Sequence, residues 1–259
     1  MLFSANLGFL WTELPLPAAI EAARYAGFDA VEFHWPYAFS TAEIEAALQA
    51  TGMPAVSLNT QPGNIEAGDF GLAALADRRS EALAAIDEAV EFASAIKARA
   101  VHVMCGKATG PLASQTFLEN LERACKLTAP LGLEVLIEPI NSFDVPGYFL
   151  SDTQQAIAII DELGLGNLRL MFDCYHVARQ EGDVSGRFKA CAPYVGHVQF
   201  AGIPDRGRPD EGLFDYSTLF AALESMGYDR PIGAEYRPSG PTLQSLGWLP
   251  RFRQGLFVR

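Results

Sequence analysis

Two hydrophobic periods alternate along the chain. Short apolar runs, several with every second residue polar, read as strands, and longer stretches with apolar residues every three or four positions read as helices. The strand-like runs are LFSANLGFL (2–10), FDAVEFHW (28–35), MPAVSLNTQ (53–61), ARAVHVMCG (98–106), LEVLIEPIN (133–141), NLRLMFD (167–173), YVGHVQF (194–200) and RPIGAEY (230–236). Between them the pattern predicts a helix ending at Gly27, then one opened by a Ser40/Glu43 capping box. Further helices are predicted over 76–97, from Ser114 to about Leu131, over 153–163 behind a cap at Asp152 or Ser151, over 177–192, and from Asp215 to Met226. After the eighth run comes an irregular tail with Trp248, Phe252 and Phe257.

Strands separated by helices need right-handed crossovers and therefore lie parallel. Eight such units in 259 residues close most naturally into one (β/α)8 TIM barrel spanning 1–259. An open doubly wound sheet is the competing arrangement. No GxGxxG or phosphate-loop motif supports it. Three long stretches, 61–75, 141–152 and 202–215, follow strands three, five and seven. Long loops inside a compact domain are commonly functional.

The ends of the strands carry the chemistry. Inside a barrel alternate residues point inward. The fifth run then turns Glu134, Leu136 and Glu138 inward, and Pro139 ends it because proline cannot donate to a ladder. The sixth turns in Arg169, Met171 and Asp173, the seventh Val195, His197 and Gln199, the eighth Gly233, Glu235 and Arg237. Any one strand-end acid caps a helix or pairs with an arginine as readily as it holds a ligand. Four consecutive strands delivering Glu138, Asp173, Gln199 and Glu235 to one rim is a different pattern. Three carboxylates packed together repel unless a cation sits among them. An all-oxygen donor set selects Mg²⁺ or Mn²⁺ over zinc.

Composition narrows the partners. The net charge of −12 repels phosphate backbones, so no nucleic-acid partner is expected. No apolar run approaches the roughly 18–20 residues of a membrane span, and the first residues lack the basic region of a signal peptide. Cys105, Cys125, Cys174 and Cys191 are scattered, without a CxxC pair. They read as free thiols, and a cytoplasmic setting is expected. Oligomeric state is left open, although the apolar tail could pack beneath the barrel or across an interface.

EPIN (138–141), FDCYH (172–176), HVQ (197–199) and EYRP (235–238) resemble the hydroxypyruvate isomerase family, within the xylose isomerase-like TIM-barrel superfamily. The likeness continues through GAEYRPSG and SLGWL and covers essentially the whole chain. It implies metal ligands at Glu138, Asp173, Gln199 and Glu235, with Glu138 and Glu235 as the catalytic acid–base pair. The wider superfamily often has histidine where Gln199 stands, and glutamine keeps the set all-oxygen. The implied substrate is a small anionic hydroxy-oxo acid, hydroxypyruvate interconverting with 2-hydroxy-3-oxopropanoate through an enediolate.

His176 is the implied contact to substrate oxygens. Arg206 is expected at the substrate carboxylate, with Lys107 and Arg237 in reserve. His102, His34 and Asn59 are candidate pocket residues, each with a structural role as the alternative. His197, below Gln199, reads as supporting it. Trp11, Phe39 and Trp248 are candidate walls of the pocket, with core or interface packing the commoner fate of such aromatics. A 2-oxo-tetronate isomerase, one carbon longer in substrate, is the alternative within the class. A ketose 3-epimerase could use the same two glutamates. A metal phosphodiesterase would need a basic face and more histidines. A non-catalytic acid-binding barrel is the alternative from another class.

Overall fold

The computed structural model describes residues 1–256, so Phe257 lies outside the described residues. Eight parallel strands close into a barrel in sequence order. They are β1 (Phe3–Asn6), β2 (Ala30–Phe33), β3 (Ala55–Asn59), β4 (Ala100–His102), β5 (Glu134–Ile137), β6 (Leu168–Asp173), β7 (Val195–Phe200) and β8 (Ile232–Ala234). The outer ring is α1 (Leu16–Ala26), α2 (Thr41–Thr51), α3 (Arg79–Ala95), α4 (Pro111–Thr128), α5 (Thr153–Leu163), α6 (Cys174–Gln180), α7 (Val184–Cys191), α8 (Ser217–Ser225) and α9 (Trp248–Arg253). Among the described residues no helix is long and apolar enough to cross a membrane. All four cysteines are free and buried.

Local signals set the helix ends. Ser40 Oγ accepts from Glu43 N while the Glu43 carboxylate accepts from Ser40 N, a complete capping box for α2. Asp152 Oδ1 accepts from Gln155 N and starts α5. The helix expected over 177–192 is two helices, because the turn at 181–183 ends α6 and Asp183 caps α7. The expected irregular tail contains α9. Trp248 of that helix packs its ring 5.3–6.0 Å from those of Phe3, Phe28, Phe200 and Phe252. Truncating such a buried tryptophan costs about 3–5 kcal/mol, so the tail is part of the core. Trp11 is buried in the same layer.

The core has two parts. One continuous cluster fills the space between strands and helices, and a small second one, Ala100, Leu136 and Met171, fills the barrel interior. Above that plug the inward side chains become polar. One inward assignment fails. Val195 belongs to the outer cluster, not the interior. Between Leu170 and Met171 the β6–β7 pairing shifts, so that Leu170 faces Val195 but Met171 faces His197. The extra residue is Gly196, where a Cβ would lie 2.6 Å from Arg169 Cβ. A bulge therefore reverses the alternation before His197 and Gln199 turn inward.

Candidate active site

A cavity of about 470 Å³ opens among the loops that follow the strands. Glu138, Glu235, His34, Asn59, His102, Lys107, His176 and Arg206 all line it. Asp173 and Gln199 lie beneath, paired across β6 and β7. The loop 61–75 forms one wall through Ile65, Gly68, Asp69 and Phe70. It is tied down where Lys107 Nζ donates to Gly68 O (2.7 Å) and Arg78 pairs with Asp69 (2.5 Å).

Three buried carboxylates share the floor. Glu138, Asp173 and His176 offer ligand atoms within 4.8 Å of one another. Arg206 binds Glu235 to this group. Its Nη2 donates to Asp173 Oδ2 (3.2 Å) and lies 3.1 Å from Glu235 Oε2, within ion-pair distance but off the hydrogen-bond line. The guanidinium is stacked between the rings of Phe9 and Tyr175, 4.9 and 5.0 Å from their centroids. Arg206 also has φ +55°, a conformation unusual for a side-chain-bearing residue. Arg237 N donates to its carbonyl at 2.7 Å. Arg206 Nε is buried without a partner.

The carboxylates are tuned apart. Burial, with Glu235 and Asp173 nearby, raises the Glu138 pKa well above the usual range. Burial likewise lifts Asp173 to about 7, against the pull of Arg206. For Glu235, burial pushes up as well, but the Arg206 charge and the His34 hydrogen bond outweigh it and bring the group down to about 2. That bond joins His34 Nε2 and Glu235 Oε1 at 3.0 Å.

The histidines have assigned orientations. Asn141 N donates to His176 Nδ1 (3.3 Å). The hydrogen therefore belongs on Nε2, which lies 3.8 Å from Glu138 Oε1 and 3.6 Å from Asp173 Oδ2. Burial and Arg206 hold His176 well below its ordinary pKa, so it is a neutral donor. In that tautomer Nε2 cannot ligate a cation. His102 Nδ1 meets Asn59 Oδ1 at 3.1 Å, leaving Nε2 buried without a partner. Burial lowers the His102 pKa to about 4.

The floor suits a hard divalent ion. Among the described residues, Glu138 Oε1, Gln199 Oε1 and Glu235 Oε2 are buried without a hydrogen-bond donor. Orphaned buried acceptors are costly, and oxygen donors of this kind match Mg²⁺ or Mn²⁺. Several contributors were not visible in the chain alone. Phe9, Trp35, Phe70 and Asp144 line the cavity, and Glu32 lies beneath it. Only Glu32 carried a signal, as a lone acid in the apolar strand AVEF.

The family model for xylose isomerase-like TIM barrels matches residues 20–252. The chain is 42% identical to the 2-oxo-tetronate isomerase of Cupriavidus necator over 251 residues, covering 95% of this chain and 96% of that one. It is 34% identical to the hydroxypyruvate isomerase of Escherichia coli over 255 residues, covering 97% and 99%. Among solved structures, one described as an AP endonuclease, family 2, from Brucella melitensis superposes with a TM-score of 0.93. It is 35% identical, with 97% of this chain and 98% of that one covered. Fold, site and relatives together define an isomerase of the aldose–ketose type on a TIM barrel. The chain belongs to the hydroxypyruvate isomerase family of the xylose isomerase-like TIM barrels.

Proposed function

We propose that this protein interconverts hydroxypyruvate and 2-hydroxy-3-oxopropanoate by proton transfer between adjacent carbons. The observation that carries the reading is the pair Glu138 and Glu235, both buried at the ends of two strands and both lining the same cavity. Two carboxyl groups facing one cavity can take a proton from one carbon and return one to its neighbour. Glu235, held ionised by Arg206 and His34, is the base that takes a proton from C3 of hydroxypyruvate. The C2 carbonyl becomes the second oxygen of an enediolate. Glu138 returns a proton to C2, and the O3 hydroxyl hydrogen moves to O2, leaving an aldehyde at C3 and a hydroxyl at C2. In the reverse direction the two exchange roles.

Glu138, Asp173, Gln199 and Glu235 would hold Mg²⁺ or Mn²⁺. When bound, the ion supplies positive charge beside the oxygens on which negative charge develops. His176 Nε2–H donates to a substrate oxygen. Arg206 offers its unpaired Nε–H to the substrate carboxylate. The rings of Phe9, Trp35 and Phe70 exclude water, which strengthens each of these interactions.

A second reading has its own support. The 42% identity to a 2-oxo-tetronate isomerase and a cavity of about 470 Å³ favour room for a fourth carbon. NMR in deuterated water, on both acids with and without Mg²⁺ or Mn²⁺, tests the two together. The expected result is ion-dependent isomerisation with deuterium entering at the exchanging carbon. Neither exchange nor product from either acid would reject both readings.

A further inference from the structure

We propose that Glu32, at the floor of the barrel, is a positioning residue that fixes which end of the Gln199 amide faces the carboxylate cluster. The inference rests on the reading of Gln199 as an oxygen donor to a divalent ion. A carboxamide has two unlike ends, and only its oxygen can serve a hard cation. A histidine has no such ambiguity between oxygen and nitrogen, so a glutamine ligand needs something to choose its rotamer.

The geometry supplies it. Gln199 Nε2 donates to Glu32 Oε1 at 3.2 Å. Glu32 Oε2 is bound to His197 Nε2 at 2.5 Å. A carboxylate accepts and does not donate, so it can engage only the nitrogen end of the amide. Gln199 Oε1 is left buried and without a partner. Glu32 itself is almost fully buried, 1% exposed, and no arginine pairs with it among the described residues.

A carboxylate in that position also requires space on the neighbouring strand. Gly233 of β8 pairs with Gln199. A Cβ there would lie 2.4 Å from Glu32 Oε1 and 2.9 Å from Gln199 Cγ. Any side chain at 233 would therefore push the carboxylate or the amide out of place. Glu32, His197, Gln199 and Gly233 form one unit drawn from three strands, and together they set the direction of one buried oxygen.

The test is Mn²⁺ affinity, measured by calorimetry and by the electron paramagnetic resonance of free Mn²⁺, with no substrate present. In Glu32→Gln the new amide can donate to Gln199 Oε1 and release the constraint. Residues that orient ligands in this way typically matter by about 10–100-fold in affinity, and a Kd weakened by that factor is expected. In the Gln199→Ala background the same substitution should add nothing. Gly233→Ala, which disturbs the Glu32–Gln199 pair without changing any charge, should weaken Mn²⁺ binding in the same direction and covers the case of a Glu32 variant that fails to fold. Wild-type affinity in both Glu32→Gln and Gly233→Ala, or an equal loss in the Gln199→Ala background, would overturn the role. Wild-type protein that bound no Mn²⁺ would overturn it as well. Protein that bound Mn²⁺ with this dependence on Glu32 but isomerised neither acid would remove the substrate reading and leave this one standing.

Discussion

Glu134 and Glu138 lie on the same strand segment and face the same way, about 13 Å apart at the usual rise per residue. Their surroundings are opposite. Glu134, at the amino end of β5, receives Arg230 at both oxygens (2.9 and 3.1 Å) and Arg99 at 3.4 Å. Glu138, at the carboxyl end, has two other acids for neighbours and one oxygen with no donor at all. The first is a carboxylate to which the protein supplies donors at both oxygens, against a burial that still raises its pKa. The second keeps an oxygen without a donor among the described residues, which the proposed ion would engage. Residue type and strand face do not separate them; the supply of donors does.

The largest expected difference is in turnover. Glu138→Gln or Glu235→Gln should lower kcat by about 10²–10⁴-fold, the range for a positioned acid or base. Glu134→Gln should leave kcat and KM at wild-type values. A steady-state assay that found the three variants alike would break the contrast. Arg206→Ala should come next, raising KM for the acid by about 10–100-fold, since a hydrogen bond to a charged group is worth about 1.5–3 kcal/mol. An unchanged KM would move the substrate carboxylate to another cation, such as Arg237 at the rim.

Stability should rank the residues the other way. Glu134→Gln is expected to cost about 1 kcal/mol in a urea titration, the upper range for a partly exposed ion pair. Glu138→Gln in metal-free protein should not lower stability, because ionising that buried group already works against folding. The pH profile sharpens the point. Asp173, lifted to about 7 mainly by burial, binds its proton more tightly folded than unfolded. Its contribution is therefore fully present below the ordinary carboxylate pKa and is lost as pH rises through about 7. The Tm of metal-free protein should fall between pH 5.5 and 8, and Asp173→Asn should flatten that slope. With Mn²⁺ the trend should reverse, because bound carboxylates must be deprotonated. The smallest effect expected is for Lys107→Ala. Losing one exposed bond to Gly68 O should change stability by no more than about 0.5 kcal/mol.

The barrel was legible because its eight strands are short, apolar and separated by helical periods, which local pattern records directly. The rim acids were legible for a related reason, since each is the last inward position before a loop. Val195 was misread because a bulge adds a residue without changing the apolar pattern around it. The break between α6 and α7 was hidden by continued amphipathic spacing. Arg206 was placed near the substrate, but its pairing with Asp173 and Glu235 joins residues 33 and 29 positions away, and no local pattern encodes such contacts. The same holds for Glu32, whose partners are on β7, 165 and 167 residues further along.

Arg206 carries a last consequence. A cluster of acids with no counter-charge would come apart, and many small metalloproteins stay unfolded until their ion arrives. Here the chain brings a cation of its own, clamped between two aromatic rings and resting against Asp173 and Glu235. If the site takes the proposed Mg²⁺ or Mn²⁺, the barrel would fold without the ion and be loaded afterwards. On this reading the ion is a replaceable tool, and a cell short of one metal could equip the same protein with another.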